Sequence, residues 1–257
     1  MTDVPMLPLN TVFRQPLLLI MKKLKILTNL LFKHQKILFL LLTVFMGIFI
    51  FTPYINFQPV LAQGDHGRDL YTFKATLDGS APYQDYWWVY GPLMPYFYAL
   101  CFKILGVSVQ SILIGKIFLI FASGILFYLT LCLFASPLMA LAGTVWFWSF
   151  RPEFFYTYNH AGAIPFFILT IFFVAHYIRS CEKKYIYATF ASVFIIFLIK
   201  ANIGFFFLLS ALAIFVITDF VKQKKITNKK TYILCLFSVL LLSGFTYWLF
   251  LKISHYT

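Results

Sequence analysis

Asp65, Asp69, Asp78 and Asp85 are four of the eight acidic residues of the chain, and all four fall within residues 64–95. This is the only long polar interval between strongly apolar segments. Asp65 and Asp69 are four apart, so a helix through them carries both carboxylates on one face. Asp65 admits two readings: it caps that helix by accepting from the first backbone amides, or it serves as a general base. Asp69 is placed to pair with Arg68 or Lys74, and Asp78, before Gly79, reads as a turn residue. Asp85 sits among Tyr and Trp, where a carboxylate needs a partner.

The cations that could act with these carboxylates are spread along the chain. Arg151 and Lys200 each end an apolar segment. Snorkelling explains such a position, and so does contact with a lipid phosphate. His66 and His160 could join Asp65 or Asp69 around a divalent metal, but their spacing matches no familiar ligand pattern. No metal site and no cofactor are therefore expected.

The elements that must position these residues are membrane helices. The 257 residues are 61% hydrophobic and 11% charged, and long runs of Phe, Leu and Ile match the hydrocarbon thickness of a bilayer. The formal charge of +13 comes from 21 Lys and Arg, most of them at the ends of apolar segments, where they fix orientation and meet anionic lipid. That placement argues against nucleic acid as a partner. Cys101, Cys132, Cys181 and Cys235 lack paired close spacing and read as small apolar fillers.

In chain order, residues 1–36 form a basic, partly amphipathic cytoplasmic segment, with Met21-Lys22-Lys23 readable as an alternative start. A first span over 37–53 follows, and its basic flank keeps the N-terminus inside. Val60-Leu61-Ala62 resembles a signal-peptide cleavage site, but the apolar core ends well before it, so an uncleaved anchor is expected. The first extracytoplasmic loop, about 54–108, contains a helix over 65–77 that turns Leu70, Tyr71, Phe73 and Leu77 to the membrane surface. It also holds the aromatic run 83–90 and a short apolar helix over 92–105.

Further spans are expected at 109–134, 138–150, 162–178, 185–199, 204–220 and 232–251. The class is therefore all-α: a polytopic membrane protein with about seven transmembrane helices, a single transmembrane domain over 37–257 and amphipathic interfacial helices in the first loop. Alternation places Arg179, Lys183 and Lys184 inside, with Lys222, Lys224, Lys225, Lys229 and Lys230. The first-loop carboxylates, Arg68, Arg151, His160 and Lys200 then converge outside. No span carries a carboxylate near its middle, which argues against a transporter.

The ordered set of motifs resembles the GT-C superfamily of polyprenyl-phosphate-sugar glycosyltransferases, which includes protein mannosyltransferase-like and aminoarabinose-transferase-like enzymes. The matching segments are Asp65-His66-Gly67-Arg68, Leu77-Asp78-Gly79, Pro82-Tyr83-Gln84-Asp85 and Gly91-Pro92-Leu93. Lys200-Ala201-Asn202-Ile203-Gly204 and Tyr158-Asn159-His160 complete the set, which spans most of 37–251.

The resemblance implies an inverting transferase. It would take a sugar from a polyprenyl phosphate on the outer face of a bacterial cytoplasmic membrane and move it to a lipid, glycan or protein acceptor. Asp65 would be the general base. Arg151 and Lys200, with Arg68 in reserve, would hold the departing phosphate, and Asp85, Asp69, His66 and His160 would bind sugar or acceptor. Relatives usually continue well past this length, so the alternative is a truncated, non-catalytic GT-C-like module that binds lipid-linked sugar or a partner protein.

Overall fold

The computed structural model describes residues 34–55, 65–150 and 158–253. The basic segment before residue 34, the Val60-Leu61-Ala62 motif and Arg151 lie outside the described residues. The side chains of Asp65 and His66 also lie outside what is described, although their backbone opens a helix.

The described chain is helical, with one isolated bridge between Pro82 and Tyr86. In order, the helices are α1 (His34–Ile55), α2 (Asp65–Leu77), α3 (Leu93–Leu105), α4 (Val109–Leu131), α5 (Pro137–Ser149), α6 (Tyr158–Ser180), α7 (Lys183–Ile199), α8 (Ala201–Gln223) and α9 (Lys229–Ile253). Five of them, α1, α4, α6, α8 and α9, are long and apolar enough to cross a membrane. The chain is thus an integral membrane protein. Three of these helices have 23 residues, about 34 Å at the usual rise, against a hydrocarbon core of about 30 Å.

The expected spans over 138–150 and 185–199 are helices α5 and α7, with 13 and 17 residues. Both are shorter than the other five for local reasons. The Ser136 hydroxyl accepts from the Met139 amide and Pro137 follows it, so α5 can begin no earlier. At the end of α7, Lys200 adopts an extended conformation (φ −154°, ψ 98°), and α8 starts at the next residue. One residue therefore separates two antiparallel helices, and Lys200 occupies that corner.

The long helices fix which residues share an end of the bundle. His160 lies at the start of α6 and Arg179 at its end; Lys200 precedes α8 and Lys222 closes it. The first-loop site and the basic turns are therefore about 30 Å apart. Helix α6 packs on α4, α7 and α8, with Thr170 of α6 bonded to Ser192 of α7 at 2.8 Å. Trp148 of α5 is buried between Phe51 of α1 and Phe121 of α4, and its indole N–H donates to the Ile120 carbonyl at 3.1 Å.

At the basic end, the Asp219 carboxylate is fully buried. It accepts from the Tyr177 and Tyr232 hydroxyls at 2.5 and 2.9 Å and from the Thr227 and Asn228 amides at 3.0 and 3.2 Å, tying α6, α8 and α9 together.

Candidate functional site

Helix α2 begins and ends where the sequence places it, but its apolar residues do not form one membrane-facing row. Tyr71 is exposed, whereas Phe73 is fully buried, stacked on Tyr98 at 4.6 Å and edge-on to Tyr158 and Trp88. Burying Phe73 roots α2 in the bundle. Asp69, one turn earlier, is drawn under the loop with it and is 2% exposed. Arg68 holds this carboxylate from Nη2 and Nε at 2.8 and 3.1 Å. The expected pairing of Asp69 with Arg68 is present, with the carboxylate buried and the guanidinium partly exposed.

The aromatic run after α2 alternates: Tyr86 and Trp88 are buried, Trp87 and Val89 exposed. Burial pushes the Tyr86 phenol up to about 12, against a smaller lowering by its bond to Thr76. The Trp88 indole donates to the Gly91 carbonyl at 2.9 Å, and the Gly91 amide donates to Ile199 at the end of α7, also at 2.9 Å. Those two bonds bring the loop against the α7–α8 corner.

The result is a cluster drawn from four chain segments. Lys200 Nζ lies 2.6 Å from His160 Nε2 and 5.5 Å from the centre of the Tyr90 ring. The guanidinium of Arg68 lies 5.9 Å from the same ring and 5.7 Å from both Trp87 and Trp88. A protonated Lys200 donates to His160, so the imidazole carries its proton on Nδ1. Burial lowers the Lys200 ammonium below its usual range. Two cations thus lie close to one aromatic ring, and Asp69 pairs with Arg68.

Behind the cluster lie buried polar groups that sequence reasoning did not place in the site. Lys116 of α4 is buried, with Nζ 5.6 Å from the Tyr158 ring. The Tyr98 hydroxyl and both side-chain atoms of Asn159 are buried without a hydrogen-bond partner among the described residues. A lysine eight residues into an apolar helix was a usable signal for Lys116; nothing in the sequence marked Tyr98 apart from its aromatic neighbours.

No family model, curated protein or solved structure matches this chain. What the site can do is therefore read from its own geometry.

Arg68, Asp69, His160 and Lys200 come together. Asp85 does not join them: it is exposed, and its carboxylate accepts from the Ala81 amide at 2.6 Å, closing its own turn. Asp78 pairs with Lys74 at the exposed end of α2, where Gly79 takes φ 102°, as its turn position implied. Arg151 lies outside the described residues, as do the side chains of Asp65 and His66, which leaves Asp65 readable only as the first residue of α2. Among the described residues no three of His, Cys, Asp and Glu gather as a metal site would need.

Taken chemically, the cluster is a cationic corner with a neutral imidazole acceptor, a half-buried ammonium and unsatisfied hydrogen-bonding groups close behind. Such a corner suits an anionic group carrying hydroxyls.

Proposed function

We propose that the chain is an inverting GT-C-type glycosyltransferase that moves a sugar from a polyprenyl-phosphate donor to a lipid, glycan or protein acceptor on the outer face of a bacterial cytoplasmic membrane. The observation that carries this reading is the meeting of Lys200, His160, Tyr90 and Arg68 at the end of the bundle opposite the basic turns. Their neighbours Asn159 and Tyr98 offer unfilled hydrogen-bonding capacity, which a hydroxylated sugar would satisfy.

In this reading the chain crosses the membrane seven times. Helices α5 and α7 complete their crossings by local thinning of the bilayer, the N-terminus and the basic turns are cytoplasmic, and α2 and α3 lie at the outer interface. Asp65 takes the proton of the acceptor hydroxyl as its oxygen attacks the anomeric carbon. The bond from that carbon to the phosphate oxygen breaks, and its electron pair leaves on the polyprenyl phosphate. Lys200 and Arg151, with Arg68, hold the charge that develops there. Asp69 and His160 orient sugar or acceptor hydroxyls.

The test is transfer from a radiolabelled polyprenyl-phosphate sugar to native membrane extract by the full chain in liposomes. Transfer should occur, and Asp65→Asn should abolish it while leaving insertion and thermal stability unchanged. Full activity in that variant would remove Asp65 as the base. Donor binding without any turnover would instead select a non-catalytic module.

A further inference from the structure

An apolar groove of about 300 Å³ runs between α6 and α8, from Thr170 and Phe207 near the middle of the bundle to Ile178 near the basic end. Its floor is made of small or buried side chains, Val174 and Ala175 of α6 and Ala211 of α8. Ile171, Ile214 and Phe134 form more exposed walls. The hydroxyl of Thr170 in this groove is already engaged, by the Phe166 carbonyl and by Ser192. The interior therefore asks for a hydrocarbon.

The lip of the groove carries charge. Arg179 follows the groove residue Ile178, and its Nη1 donates to the carbonyl of Leu133, the residue before Phe134. Lys222 Nζ donates to the carbonyl of Ile178 itself. Each cation is thereby anchored to backbone at the groove mouth, and each keeps donors beyond the one it uses. Both side chains belong to exposed residues. Of the carboxylates on the neighbouring elements, Asp219 is wholly buried among Tyr177, Tyr232, Thr227 and Asn228, and Glu182 pairs with Lys184 at 2.6 Å. Neither neutralises the lip.

We infer that this groove is a binding site for one anionic glycerophospholipid, with an acyl chain between α6 and α8 and the phosphate on Arg179 and Lys222. A zwitterionic lipid would offer the same chain but would also bring a cation to a cationic lip, so charge complementarity selects the anionic headgroup. The site is independent of the proposed transferase activity. It needs no turnover, and its charged lip lies at the other end of the helices.

Native mass spectrometry of the full chain, released from vesicles holding equal phosphatidylglycerol and phosphatidylcholine, tests the inference. One phosphatidylglycerol should be retained in preference to phosphatidylcholine. Arg179→Gln and Lys222→Gln should each weaken retention roughly fivefold, as expected for one basic contact at a membrane surface. Ala211→Leu, which fills the floor, should displace the lipid while both cations remain. Lys224→Gln with Lys225→Gln, two nearby charges away from the groove, should retain it. Equal retention of the two lipids, or retention unaffected by Ala211→Leu in a variant whose thermal transition matches wild type, would overturn the site in favour of diffuse attraction to the lysine-rich turns.

Discussion

Gly91 donates its amide to the Ile199 carbonyl at 2.9 Å, and a Cβ on Gly91 would come within 2.0 Å of the Leu198 carbonyl oxygen. The loop between α2 and α3 and the end of α7 therefore touch backbone to backbone. Because Lys200 follows Ile199 and Tyr90 precedes Gly91, this contact sets the distance between the ammonium and the aromatic ring.

Gly91→Ala should separate the two segments. Overpacking of this kind typically costs 1–3 kcal/mol, and here the obstacle is backbone, which cannot rotate away. The expected result is a lowered thermal transition together with weaker polyprenyl-phosphate binding. Gly67→Ala is the control: a Cβ there meets nothing within 4 Å, and replacing a helical glycine should stabilise by roughly 0.5–1 kcal/mol. Equal behaviour of the two variants would remove the close approach as the feature that builds the site.

Lys200 gives a pH dependence with a definite sign. Its folded-state pKa is lowered by burial from the ordinary 10.5, so the unfolded chain binds this proton more tightly than the folded one. Stability then rises with pH between the lowered value and 10.5 and falls as pH drops through the lowered value. Lys200→Met should flatten that alkaline rise in thermal denaturation of the unliganded protein and should abolish polyprenyl-phosphate binding at neutral pH. An unchanged slope would show that Lys200 is not the group being desolvated.

Much of this architecture was legible in the chain because the physics is local. Apolar runs bounded by lysines gave the helices, and Asp65 to Leu77 stands as a helix with the ends its sequence implied. The Asp78-Gly79 stop was readable because glycine takes a positive φ without strain. The site was only partly legible. Lys200 and His160 are forty residues apart, and their 2.6 Å contact depends on the pairing of α6 with α7, which no local pattern encodes. The short α5 and α7 were legible to within two residues at each end, because the interruptions that limit them, Ser136-Pro137 and Lys200, are local to the backbone. Asp219 drew no attention as a charge near a helix end, because its two tyrosine partners lie 42 and 13 residues away.

Asp85 illustrates the same gap, and it yields a prediction against its sequence reading. A carboxylate among aromatic residues needs a partner, and the partner proves to be the Ala81 amide within its own turn, at 2.6 Å. Asp85→Asn keeps a side-chain oxygen to accept that bond. It should leave sugar transfer and donor binding close to wild type and cost under about 1 kcal/mol of stability, while Asp85→Ala should cost about 1 kcal/mol, as a lost cap does. Transfer assays and thermal denaturation on both variants check this. A large loss of transfer in Asp85→Asn with stability intact would return Asp85 to the site.

Asp219→Asn separates stability from function in the opposite way. An amide oxygen can accept from only part of the set that now donates to the carboxylate, namely the Tyr177 and Tyr232 hydroxyls, the Thr227 and Asn228 backbone amides and the Gln223 side-chain amide. Its NH2 group would in turn face donors. Hydrogen bonds to a charged group contribute about 1.5–3 kcal/mol each, so disrupting even one or two of them should lower stability by at least about 2 kcal/mol. Because the substitution lies at the basic end, about 30 Å along α8 from Lys200, polyprenyl-phosphate affinity measured below the unfolding temperature should not change. A variant as stable as wild type would mean that Asp219 does not clamp α6, α8 and α9. A stable fold with lost affinity would instead point to coupling along α8.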